Sequence, residues 1–393
     1  MSVAIYLRNL ATGTRCWLAF ALTLAVSTGT AVAQTWDSVS ATTPALRGIT
    51  VGPIESSQQP GRGYGTAYTE ALLDELVRMG ANAVSITPFG RLWNLRSTRI
   101  ALDFEQPYEE NRRAIARMIA QARARGLRVL VIPHLWIETD GWRGEIDPGT
   151  PEGWQAYQAS YRDFVLAWAR DAQAFGADAF SMGVVCKSFS GRFGEYWTEL
   201  IADVRRVFRG SLTYSANWDE VEGVLFWDQL DWIGVNAFYP LAQSGGASQA
   251  TYVASAEQAL ARLGELAAVV EKPIVLVEIG YTTRTDAAVE PWLWPDGMSG
   301  VTVDEYEQAR ALAAIAEAAA RREDVLGLFV WRYYANLDDV SQEAAWGFSP
   351  RAKKAEIVLE RIFGRRWAAD PHGDLGLPLP LAPRERWPER LWQ

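Results

Sequence analysis

The sequence predicts a single-domain (β/α)8 TIM barrel. Eight short runs rich in β-branched and other apolar residues recur between residues 48 and 330, and amphipathic stretches separate most of them. That alternation over about 290 residues matches a closed parallel barrel in count and size. An open doubly wound sheet usually carries a Gly-rich phosphate turn after its first strand. Here Val51-Gly-Pro-Ile-Glu-Ser follows instead, so the barrel is favoured.

The elements run in order. Gly48-Ile-Thr-Val51 is the first strand, followed by a helix over 68–79 that Gly80 closes. Ala83-Val-Ser-Ile86 is the second. The helix over 108–125 comes next, where Asn111-Arg-Arg-Ala-Ile-Ala-Arg-Met-Ile-Ala sets apolar residues at i, i+3, i+4 spacing and so docks one face on a sheet. Val129-Leu-Val-Ile132 and a helix over 153–175 form the third unit, and Ala179-Phe-Ser-Met182 with a helix over 193–208 the fourth. Gly126, Gly176 and Gly210 mark helix ends. The last four strands are Ser211-Leu-Thr-Tyr214, Trp232-Ile-Gly-Val235, Ile274-Val-Leu-Val277 and Gly327-Leu-Phe-Val330. Helices over 255–270, 303–322 and 350–363 follow the sixth, seventh and eighth of these strands. The barrel therefore spans 46–365, behind a lead-in over 34–45.

Both termini lie outside it. Arg8 and Arg15 precede the apolar run Trp17–Val26, and Ala31-Val32-Ala33 is a small-x-small cleavage site, so residues 1–33 read as a secretory signal. The run is too short to span a bilayer comfortably. Cleavage removes Cys16 and leaves Cys186 alone, which excludes an internal disulfide in a periplasmic or extracellular protein. Residues 366–393, with Pro371, Pro378, Pro380, Pro383 and Pro388, form a Pro-rich tail.

Composition narrows the chemistry. Half of the 393 residues are apolar (49%) and 22% are charged, enough to bury a large core. A net charge of −9 without basic runs argues against nucleic acid or an anionic membrane as partner. With Cys16 removed in the signal, two His and one Cys cannot build a four-ligand Cys/His zinc site, and no metal or organic cofactor is implied. Eighteen Trp and 14 Tyr exceed what a core of this size needs and suit a surface that stacks on ring-shaped ligands.

In a barrel, function sits at the carboxyl ends of the strands. The first three ends carry Glu55, then Phe89 and Arg91, then His134, Trp136 and Glu138. Val185, Cys186 and Lys187 end the fourth, and Asn217, Trp218 and Asp219 the fifth. Asn236 and Tyr239, Glu278 and Tyr281, and Trp331 and Arg332 end the last three. Aromatics and amides alternating with carboxylates make up a sugar cleft, in which indoles stack on rings and His134 and Asn217 bond hydroxyls.

These rim segments carry a resemblance. Val131-Ile-Pro-His-Leu-Trp136 with Gly141-Trp-Arg-Gly144, Leu212-Thr-Tyr-Ser-Ala-Asn-Trp218, Gly234-Val-Asn-Ala-Phe-Tyr-Pro240 and Pro273-Ile-Val-Leu-Val-Glu-Ile-Gly-Tyr281 resemble, in order, strands three, five, six and seven of glycoside hydrolase family 113. That family consists of retaining β-mannanase-like barrels, and the likeness covers roughly residues 46–364. It implies two glutamates about 5–5.5 Å apart, an acid/base after strand four and a nucleophile after strand seven. Glu278 falls on the nucleophile position. Read without the family, it is a strand-end carboxylate paired with Arg332 or a rim amide.

Strand four departs from the pattern. Similar members carry Gly-x-Glu-Leu-(Lys/Arg)-Ser; this chain has Gly183-Val-Val-Cys-Lys-Ser188, which sets Val185 on the acid/base position. Valine donates no proton. Glu138, Asp140 and Asp219 are the carboxylates that could substitute, though each more simply caps a loop or faces solvent. Because side chains alternate along a strand, Cys186 should face the helices as a buried, inert thiol if Val185 faces the cleft. The expectation is an exported barrel that acts on or binds a β-linked polysaccharide or oligosaccharide. Glu278 stands as nucleophile, hydrolysis is weak or absent, and Trp136, Trp218, Tyr239, Tyr281 and Trp331 contact the glycan. The alternative is a non-catalytic glycan-binding pseudo-enzyme in cell-envelope polysaccharide handling.

Overall fold

The computed structural model describes residues 46–364 apart from 140, 294–299, 339–342 and 344–345. The expected signal, lead-in, Pro-rich tail and Asp140 lie outside the described residues. Eight parallel strands close a barrel: β1 (Leu46–Gly52), β2 (Ala83–Ile86), β4 (Arg128–Val131), β6 (Ala179–Val184), β7 (Ser211–Asn217), β8 (Ile233–Asn236), β9 (Ile274–Ile279) and β10 (Val325–Tyr334). Each expected strand matches one of them, with Ile132 and Trp232 falling one residue outside.

Around the barrel run α1 (Ala67–Met79), α2 (Tyr108–Ala124), α3 (Pro151–Phe175), the short α4 (Lys187–Ser190), α5 (Gly194–Val207), α6 (Gln249–Val270), α7 (Glu305–Ala320) and α8 (Lys354–Gly364). Their ends follow local chemistry. Thr66 and Thr69 form a reciprocal capping box at the start of α1, and Gly80 closes it in the left-handed region at φ 99°. Thr150 caps α3 with Pro151 in its first turn. α6 begins earlier than the sequence pattern suggests because Ser248 Oγ accepts from the Thr251 amide at 3.1 Å.

Inward-facing Leu46, Leu130, Trp232, Val275, Val277 and Phe329 fill the barrel. Gly48 makes room for that filling, since a Cβ there would lie 2.2 Å from the Phe329 ring. Outside, α3 and α5 pack on β6 and β7 through an aromatic layer that includes Trp154, Tyr161, Phe189 and Trp197, with Trp197 stacked on Phe226 at 4.5 Å. This layer corrects the compositional expectation: Trp154, Trp168, Trp197, Trp227 and Trp232 are buried, so much of the indole is core.

A second sheet was not expected. β3 (Phe89–Leu92) and β5 (His134–Ile137) pair in parallel, Phe89 beside His134 and Arg91 beside Trp136. Pro88 and Pro133 separate each from the barrel strand before it, because proline cannot donate to the ladder. The chain thus leaves the barrel twice in step and raises a short wall beside the mouth, with His134 at its foot. No helix among the described residues is long and apolar enough to cross a membrane.

Candidate active site

The end of β6 does not continue its alternation. Its register against β7 shifts between Ser181 and Val184, and Val185 takes a left-handed backbone at φ 52°. A bulge re-aims side chains where it sits. Val184 and Val185 both join the interior cluster, while Cys186 turns outward into the helical layer. A β-branched residue in that conformation costs about 1–3 kcal/mol unless its surroundings hold it.

Those surroundings are a buried hydrogen-bond chain. The Cys186 amide donates to the Tyr214 hydroxyl (2.7 Å), and Tyr214 donates to Glu220 Oε1 (2.5 Å). Ser190 Oγ donates to the same oxygen (2.5 Å), and the Asn217 amide donates to Glu220 Oε2 (3.0 Å). Burial pushes the Glu220 carboxyl above its usual range, while these donors pull it back. Glu220 therefore ties the exits of β6 and β7 together.

A cavity of about 230 Å³ opens above these exits, lined by His134, Arg143, Val185, Asn217, Glu278 and Trp331, among others. Glu278 is buried near the end of β9, with Oε1 3.5 Å from His134 Nε2. His134 Nδ1 lies 2.9 Å from the Ile132 carbonyl, so the neutral ring carries its proton there. Burial lowers the His134 pKa, which favours that neutral form. Glu278 Oε1 then receives no hydrogen bond and is itself buried beside the ring. Trp331 stacks on His134 at 5.8 Å and 26°.

Arg143, on the turn Arg143–Glu145, completes the charge balance. Burial draws its guanidinium pKa down and the Glu278 charge opposes the shift. Ser188 Oγ donates to the Ile146 carbonyl at 2.6 Å, pinning this turn against the exit of β6.

The structure brings Glu278, Val185, His134, Asn217 and Trp331 to one cavity. It does not bring the others there. Trp136 is 48% exposed on the outer wall and packs edge-on against Phe89 and Phe104. Trp218 and Tyr239 line a neighbouring groove of about 830 Å³ that runs toward α6, with Trp218 stacked on Trp292 at the border. Tyr281 is a correction. It is fully buried and donates to the Tyr239 carbonyl at 3.0 Å, so it supports the groove from beneath and touches no ligand. Arg332 does not pair with Glu278; its guanidinium lies against Gly52 and over Trp331 and Tyr334.

Of the candidate substitute carboxylates, the two among the described residues are engaged elsewhere. Glu138 pairs with Arg91 at 2.7 Å on the wall. Asp219 accepts from Lys187 Nζ (2.5 Å) and Asn217 Nδ2 (2.6 Å) and lines the groove. Among the described residues lining the cavity, Glu278 is the one carboxylate. Sequence reasoning passed over Arg143, Trp142, Phe238, Trp292 and Phe348, all in the lining. Arg143 and Trp142 stood inside the quoted Gly141–Gly144 motif and Phe238 inside Gly234–Pro240; Trp292 and Phe348 carry no local signal of their place. No group of His, Cys, Asp and Glu among the described residues is arranged to hold a metal.

Cys186 is buried, and burial pushes its thiol up to about 12. At pH 8 the thiolate fraction is then on the order of 10⁻⁴. Iodoacetamide should leave Cys186 unlabelled in the native protein and label it in urea, as peptide mass mapping reads out. Native labelling at the rate of a free thiol would contradict this placement.

A family model for Glycoside Hydrolase Family 113 matches residues 57–348. Among solved structures, a GH113 β-1,4-mannanase in a complex is 23% identical with a TM-score of 0.70, covering 82% of this chain and 100% of that one. The GH113 β-mannanase AaManA from Alicyclobacillus acidocaldarius, in complex with ManMIm, is 26% identical with a TM-score of 0.69, covering 82% of this chain and 98% of that one. A β-glucuronidase from Faecalibacterium prausnitzii shares the barrel at 13% identity and a TM-score of 0.55, with 82% of this chain and 49% of that one covered. No curated protein matches this chain.

Proposed function

The chain belongs to glycoside hydrolase family 113, and from that premise we propose that it is an exported barrel that holds a β-linked glycan over Glu278 and hydrolyses it weakly or not at all. One observation carries the reading. Val185 and Glu278 line one cavity whose described lining offers no second carboxylate, and a retaining mechanism needs one. Glu278 keeps what a nucleophile requires: it lines the cavity, and its buried Oε1 has no hydrogen-bond donor. Trp331, partly exposed and backed by His134, is the aromatic contact for a sugar ring, with Asn217 in the same lining for a hydroxyl. The mannanase named among similar structures makes β-1,4-manno-oligosaccharides the first ligands to try. Export rests on the Arg8 to Ala33 pattern.

Loss of the acid favours binding over turnover. Calorimetry with β-1,4-manno- and cello-oligosaccharides should detect binding by the wild type, and Trp331→Ala should weaken it roughly tenfold, about 1.4 kcal/mol. Absence of binding to any β-linked oligosaccharide, or unchanged affinity in Trp331→Ala, would sink the proposal.

A further inference from the structure

We propose that the space left by Val185 is a carboxylate-binding site, in which Arg143 holds a small carboxylate that takes the place of the missing acid/base group. The inference rests on the reading of Glu278 as nucleophile and goes beyond it. Three observations lead there. Arg143 makes no hydrogen bond or ion pair with any described residue, and its Nη1 is buried without a partner. A half-buried guanidinium without a hydrogen-bonded partner is costly; Glu278 acts on it through charge alone, so its N–H donors are left for an anion that no described residue supplies by direct contact. The turn that carries it is pinned to the exit of β6 through Ser188, so Arg143 and Val185 share one side of the cavity while Glu278 enters from β9. Valine ends short of where a glutamate carboxylate would lie. At about 230 Å³ the cavity holds roughly seven waters' worth of volume, room for a planar three- or four-atom anion beside a sugar. Arg binds a carboxylate through parallel N–H donors, and its charge offsets repulsion from Glu278.

The chemistry balances without a residue at 185. Glu278 attacks the anomeric carbon of a donor with an acidic leaving group. The C1–O bond to Glu278 forms, and the bond to the leaving oxygen breaks, with the electron pair departing on the leaving anion. In the second step the bound carboxylate accepts a proton from water as the water oxygen bonds to C1. The ester electrons return to Glu278, and the carboxylic acid gives its proton to solvent. The carboxylate is either a free small acid or a uronic-acid unit of the glycan itself.

The test uses the whole protein with 2,4-dinitrophenyl β-mannoside and β-glucoside. A burst of dinitrophenolate followed by a slow steady rate is expected. Sodium formate or acetate should raise the steady rate at least tenfold and saturably, sodium chloride at equal ionic strength should not, and Arg143→Gln should abolish saturation. A burst without carboxylate acceleration, or equal acceleration by chloride, overturns the site and leaves Glu278 standing. No burst and no glycosyl adduct on the Glu278 peptide by mass spectrometry removes the nucleophile reading, and the inference with it. Acetate should also raise the melting temperature of wild type and not of Arg143→Gln; equal shifts count against the site. A β-linked disaccharide ending in a uronic acid, titrated with and without acetate, separates the sources. Competition assigns the carboxylate to the glycan; independent binding assigns it to a free acid.

Discussion

Val185→Glu should raise hydrolysis of unactivated β-mannan oligosaccharides by ~10²–10⁴, the usual contribution of a positioned general acid. The backbone favours the change. Residue 185 sits at φ 52°, where valine suffers from its branched Cβ, whereas Glu105 and Glu271 already occupy that region in this chain. Burial beside Glu278 would push a new carboxyl upward through like-charge repulsion, the direction a proton donor needs, while Arg143 tempers the shift. Reducing-sugar release from mannotetraose measures the outcome. If wild type already cleaves that substrate at ordinary rates and Glu138→Gln or Asp219→Asn abolishes cleavage, the acid comes from a loop and the assignment of strand four is wrong.

Glu278→Gln should lower turnover of 2,4-dinitrophenyl β-mannoside by at least ~10³, since this substrate needs little acid assistance and depends on the nucleophile. The substitution is close to isosteric. It removes the negative charge beside Arg143 yet leaves the strand pairing of β9 intact, so the fold should persist. Parallel melting curves check that lost turnover reflects chemistry. Unchanged turnover in a folded variant would remove Glu278 from the mechanism.

The two experiments divide the site along the line where the sequence was informative. All eight barrel strands were legible because buried parallel strands read as near-continuous apolar runs bounded by helix signals. The wall of β3 and β5 was not. Four-residue strands beyond Pro88 and Pro133 have no period of their own, and what pairs them is the neighbouring position of β2 and β4 in the closed barrel. Glu278 was legible as a cavity residue because it sits near a strand end, where topology dictates direction, whereas Val185 lies just past one and reaches the same cavity through a bulge and a left-handed backbone. Tyr281 and Tyr239 lie a few residues further on, where the chain has left its strand and direction no longer follows from sequence. The former turned inward beneath Gln308, whose side-chain amide donates to its carbonyl, and the latter toward α6. Tryptophan count is ambiguous for a related reason: indole serves a helix–sheet interface as well as a sugar surface; Trp168 and Trp197 pack in the core as their helical positions suggest, and Trp154 joins them. Arg143 was hidden because its meaning lies in the partner it lacks.

The hydrogen-bond chain from Cys186 through Tyr214 to Glu220 and Ser190 uses backbone amides and outward-facing side chains, and no atom of the Val185 side chain enters it. Fixing a backbone residue costs about 1–2 kcal/mol in conformational entropy. At this turn the cost is met during folding, whatever side chain stands at 185. A group introduced there would arrive preorganised, with little further ordering required when a sugar binds. Under the proposed function, glycan retention and glycan cleavage lie one substitution apart on the same frame.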